Sequence, residues 1–110
     1  MEKFVKGDII ITHFPFSDLS QSKKRPAFVV KSLEGDDIIL LQIISKFVFD
    51  IYSIKLEEFE FEEGTLKQES FVRPNRLFTA DQKIVLYKIG KLNKNKIEQI
   101  LNKIIEIIKS

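Results

Sequence analysis

The hydrophobic pattern of this chain changes period once, close to its end. Ile97, Ile100, Leu101, Ile104, Ile105 and Ile108 recur at steps of three and four. That spacing places apolar side chains on one stripe of an α-helix. Asn95 followed by Glu98 fits an Asn-led capping box at its start. Isoleucine is a mediocre helix former, so such a helix depends on what its stripe packs against. Nothing upstream repeats the spacing. A single terminal helix excludes helical bundles and doubly wound α/β sheets, which need several.

Everything before the helix reads as short strands separated by turns. Residues 7–14 are β-branched and end at Pro15. Residues 27–30, Ala-Phe-Val-Val, form a second strand, with Pro26 at its first position. Glu34-Gly35-Asp36-Asp37 is a hairpin-type turn. The near-continuous apolar run 38–45 suits a central strand covered on both faces. Residues 50–55, 70–73 (stopped by Pro74) and 83–90 complete six strands. The expected architecture is mainly β: one small barrel with a C-terminal amphipathic helix. No linker or repeat divides the chain, so a single domain over residues 1–110 is expected.

Composition narrows the chemistry. With no Cys and one His, a disulfide scaffold, a thiolate zinc site and a multi-histidine metal centre are excluded, and a Ser-His-Asp triad is improbable. The apolar runs fall far short of the roughly 18 residues of a membrane span, and residues 1–6 have no apolar leader core. The expectation is a cytoplasmic protein with no membrane partner. Net charge is only +2, but it is unevenly placed. Residues 50–69 hold seven acidic residues and two Lys, which leaves 16 basic residues against 9 acidic ones elsewhere. By itself this reads as a solvated acidic loop on an ordinary basic surface, ahead of one pole of a molecule whose basic face meets an anion.

Three places bring polar groups to strand ends. Lys23-Lys24-Arg25-Pro26 runs from a polar loop, 17–24, straight into a strand. An arginine fixed there loses less entropy on meeting a phosphate, and its planar fork can bind one through two parallel hydrogen bonds. Val72-Arg73-Pro74-Asn75-Arg76 sets two arginines around a proline. Ile43-Ile44-Ser45-Lys46 releases a hydroxyl and an ammonium at the end of the central run. Each has a plain alternative: a solvated loop, charges balancing the Glu-rich stretch, and polar strand termination.

Taken in order, Gly7-Asp8-Ile9-Ile10, Phe14-Pro15-Phe16-Ser17-Asp18-Leu19, Lys24-Arg25-Pro26-Ala27-Phe28-Val29-Val30, Gln42-Ile43-Ile44-Ser45-Lys46 and Ser70-Phe71-Val72-Arg73-Pro74 resemble the PemK/MazF family, the toxins of type II toxin–antitoxin systems. The resemblance runs from Gly7 to the terminal helix. It implies an SH3-like barrel and a homodimer. It also implies metal-independent cleavage of single-stranded RNA to a 2′,3′-cyclic phosphate and a 5′-hydroxyl. No cofactor is implied. The implied partners are RNA and an acidic antitoxin that blocks the RNA groove. The family's two motif arginines correspond to Arg25 and Arg73. The aspartate that some members carry two residues later is Asn75 here. The hydroxyl of the central-strand motif falls on Ser45, with Ile44 at the usual threonine. The first-loop histidine of some members has no counterpart, since His13 lies earlier, in the strand.

In such a cleavage the RNA's own 2′-hydroxyl is the nucleophile. The protein supplies cations for the phosphorus oxygens, proton transfer and in-line geometry. Arg25, Arg73, Ser45 and Asn75 are the catalytic candidates, and Lys23, Lys24, Lys46, Arg76 and His13 the RNA-binding ones. An ordinary imidazole titrates near 6.5, which suits acid–base work. A lone histidine in an apolar strand is more often a core or dimer-contact residue. A toxin of this fold that binds a protein target without catalysis, as gyrase-poisoning relatives do, is the alternative. A nucleic-acid-binding barrel without chemistry is a third.

Overall fold

The structure is a computed structural model describing residues 4–14, 23–46 and 50–110. The motif at 15–19 and most of the first loop therefore lie outside the described residues, as does the Lys23 side chain.

The chain forms β1 (Asp8–Phe14), β2 (Lys23–Ser32), β3 (Asp37–Ile44), β4 (Ile54–Leu56), β5 (Phe61–Gly64), β6 (Ser70–Asp81) and β7 (Val85–Leu92), followed by helix α1 (Lys94–Lys109). These seven strands make one antiparallel sheet in the order β4-β6-β3-β2-β1-β7-β5. Its two edges, β4 and β5, are consecutive in sequence, joined only by residues 57–60. A flat sheet of seven strands would hold its edges roughly 29 Å apart. The link from Leu56 to Phe61 reaches at most about 18 Å. The sheet must therefore curl until its edges approach, and a half-barrel results.

Among the described residues seven strands stand in place of the expected six, because part of the acidic stretch is strand. A 3₁₀ turn at Glu58–Glu60 leads into β5, which pairs with β7. The close approach is possible because residue 64 is Gly. Its φ is +60°, and a Cβ there would lie 2.1 Å from the Ile89 carbonyl oxygen. The connector is tied down through Glu60. Its Oε1 accepts the Glu57 N–H at 2.8 Å, and its Oε2 lies 3.0 Å from Nζ of the buried Lys96 on α1.

Other expectations are revised in detail. Residues 50–53 turn rather than extend, and only Ile54–Leu56 are strand. Pro26 is the fourth residue of β2, not its first. Pairing with β3 begins only at Ala27, so the missing N–H is not required on that side. Pro74 does not stop its strand, because β6 bulges there. Gln42 pairs with Arg73 and Leu41 with Leu77, leaving 74–76 outside the ladder. The helix is capped by Asn93, whose Oδ1 accepts the Lys96 N–H at 2.8 Å, so Asn95 is an exposed first-turn residue.

β3 is buried on both faces, as its unbroken apolar run requires. One face carries Leu41 and Ile43 into a core with Ile9, Phe28, Val72, Leu92, Ile100 and Ile104. The other carries Ile38 and Leu40 into a second cluster with Ile10, Ala27 and Val29, covered by Phe4, Phe78 and Val85. Only part of the helical stripe is used. Ile100 and Ile104 are buried and Ile97 and Leu101 pack against the core, but Ile105 and Ile108 remain 51% and 73% exposed.

Candidate functional site

Alternation along the strands decides which side each candidate occupies. Arg25 pairs with Thr12 on β1, and two residues on, Ala27 pairs with Gln42 on β3, which pairs with Arg73 on β6. Directly opposed residues share a face, so Thr12, Arg25, Ala27, Gln42 and Arg73 project from one side of the sheet. The two arginines stand two strands apart, roughly 10 Å across the ladder. Arg25 is held from below by paired backbone on β1, where buried Thr12 donates its hydroxyl to the Ile84 carbonyl at 2.9 Å.

Lys24, Arg25 and Pro26 line a cleft of about 450 Å³ at the end of the barrel. Its floor is apolar: Ile11, Ile43, Leu66 and Ile89, with the half-exposed Tyr87 beside them. By the same register Ile11 and Ile43 face the side of the sheet opposite Arg25, which borders the cleft from the other face. Its rim adds Ser45, which follows β3, and Thr65, Lys67, Gln68 and Ser70 from the segment entering β6. Among the described residues three cations and no carboxylate line it, although Thr65, Leu66, Lys67 and Gln68 come from the acidic stretch. An anionic chain with planar bases is the kind of ligand such a surface favours, charge at the rim and stacking area within.

Arg25, Lys24 and Ser45 line this one cleft. Arg73, Asn75, Arg76, Lys46 and His13 are not in the cleft lining. Asn75 and Arg76 are exposed on the β6 bulge and Lys46 is exposed beyond β3. His13 is half-buried opposite Lys24, and its Nδ1 is buried with no hydrogen-bond partner among the described residues. No group of three or more His, Cys, Asp or Glu side chains that could hold a metal ion occurs among the described residues.

Arg73 is not a free cation. Its Nη2 lies 3.0 Å from Oδ2 of Asp50, and both side chains are largely buried, 14% and 19% exposed. Asp50 closes a turn over residues 50–53. Its Oδ1 accepts the Tyr52 N–H at 2.9 Å, the Ser53 N–H at 2.8 Å and the Ser53 hydroxyl at 3.0 Å. The Ser53 amide is the strongest influence on its acidity; burial opposes it, and the Tyr52 amide, the Ser53 hydroxyl and Arg73 add to it. Together they hold the carboxyl at about 2. The Asp-x-x-Ser spacing signals such a turn in sequence. Its partner, 23 residues away, does not show there.

The same fold recurs in solved toxins. MazF from Deinococcus radiodurans superposes with a TM-score of 0.77 at 13% identity, covering 100% of both chains. The Mycobacterium tuberculosis toxin MazF-mt6 gives 0.72 at 15% identity, covering 93% of this chain and 96% of that one. A mycobacterial endoribonuclease in complex with its cognate antitoxin gives 0.68 at 7% identity, over 97% and 96% of the two chains. At these identities the likeness establishes the fold alone. No curated protein sequence matches the chain. Residues 5–108, however, match the PemK-like, MazF-like toxins of type II toxin–antitoxin systems, and the chain belongs to that family.

Proposed function

We propose that this toxin is an endoribonuclease that cleaves single-stranded RNA without a metal ion, in the barrel-end cleft. The observation that carries the reading is the cleft itself: Lys24, Arg25 and Lys67 around an apolar floor, with no acidic residue in its lining among the described residues. An RNA strand enters with phosphates at the rim and an unstacked base against Tyr87 and the aliphatic floor. The 2′-oxygen attacks the adjacent phosphorus, the bond to the 5′-oxygen breaks, and the products are a 2′,3′-cyclic phosphate and a 5′-hydroxyl. Arg25 meets the charge that builds on the phosphorus oxygens, and Ser45 donates a hydrogen bond to the same phosphate. Among the described residues the lining holds no histidine or carboxylate, so the cleft contributes mainly electrostatics and in-line positioning. Arg73, two strands away on the face of Arg25, extends the cationic surface. An acidic antitoxin segment laid along these cations blocks RNA entry, and a disordered one can wrap them and be removed by proteolysis.

The test is incubation of the protein with mixed-sequence single-stranded RNA in EDTA. Fragments bearing cyclic phosphate ends are expected. Intact RNA would overturn the nuclease reading and leave a toxin that acts by binding a protein.

A further inference from the structure

Asp50 takes no part in the cleft, yet it is the carboxylate against Arg73. Its two oxygens are divided. Oδ1 is saturated by the Tyr52 amide, the Ser53 amide and the Ser53 hydroxyl, and Oδ2 is left for Arg73 Nη2. A carboxylate fixed by three donors from its own turn cannot swing, so it sets where the guanidinium lies. Arg73 Nε is buried without a hydrogen-bond partner among the described residues, where the Asp50 contact is the polar restraint seen on that guanidinium. Asn75, two residues beyond Arg73 in sequence, is exposed on the bulge and carries no charge.

We propose that Asp50 is the positioning residue for Arg73: the turn at 50–53 holds a carboxylate that aims the guanidinium at the RNA phosphate. This rests on the nuclease reading above. Asp50 acts through Arg73 and touches no substrate. Its lowered pKa keeps it ionised wherever the enzyme works, which suits an anchor and not a proton acceptor.

The experiment is a cleavage assay on wild type, Asp50→Asn, Arg73→Ala and the double variant, with thermal unfolding of each. Asparagine retains an oxygen for the Tyr52 and Ser53 amides but turns an N–H₂ donor toward Arg73. Asp50→Asn should lower kcat about a hundredfold, the scale of a small misplacement of a catalytic group. KM should change far less. In the double variant the Asp50 change should add nothing to the loss from Arg73→Ala, because its effect passes through that side chain. A merely structural Asp50 would instead show losses that multiply. Multiplying losses, or Asp50→Asn cutting RNA at the wild-type rate, would overturn the inference while leaving the nuclease reading intact. An inert wild type beside inert variants would overturn that reading, and this role with it.

Discussion

Two arginines that look alike in sequence differ at the level of single side chains. Arg25 has no hydrogen bond or ion pair among the described residues, whereas Arg73 is committed to Asp50. Truncating Arg25 therefore removes a cation from the cleft with little effect on the fold, within about 0.5 kcal/mol as for most surface changes. Arg25→Ala should slow RNA cleavage about a hundredfold to a thousandfold at an unchanged melting temperature. Arg25→Lys should recover only part, because an ammonium lacks the planar fork. An Arg25→Ala protein that cleaves as fast as wild type would remove the cleft from the mechanism. Asp50 sets a pH signature at the same scale. Its folded-state pKa, about 2, lies below the ordinary 3.8, so its stabilising contribution is complete above 3.8 and is lost as pH falls toward 2. Between pH 4 and 2, melting temperatures of wild type and Asp50→Asn should converge; parallel curves would contradict the linkage.

At the scale of elements, the helix start and the β6 bulge show how tertiary contacts select among local options. The sequence pattern points to Asn95 as the cap, and the fold uses Asn93 instead. Asn93 wins because its N–H is already fixed to the Glu60 carbonyl at 2.7 Å, and its side chain then meets the Lys96 amide. Asn93→Ala should cost about 1 kcal/mol in chemical denaturation, and Asn95→Ala much less. Equal effects would place the cap elsewhere. Pro74 reads as a stop because proline cannot donate to a ladder. The bulge takes 74–76 out of the ladder and lets β6 resume at Leu77, so one long strand serves both cores.

For the whole molecule, the folded chain leaves aliphatic surface uncovered. Ile105 and Ile108 extend the helical stripe past the core, and Leu77, Leu86 and Tyr87 are also exposed. A self-complementary contact between two copies would cover part of it. A homodimer is the expected species, measurable by light scattering at micromolar concentration. A monomer there would leave this apolar surface to another partner.

Local periodicity and turn chemistry determined much of this protein. The strand content, the single terminal helix, the central place of β3 and the family motifs around Arg25 and Arg73 all follow from neighbouring residues in the chain. Long-range pairing decided the rest. The glutamates at 57–63 contain an edge strand only because β7 offers it a partner and Gly64 allows the approach. Lys67 and Gln68 join Arg25 at one cleft only because the sheet curls. Asp50 meets Arg73 only because β4 pairs with β6, which brings the turn before one strand beside the bulge in the other. Periodicity records which face a side chain takes within its own element. It carries no record of which other element will lie against that face.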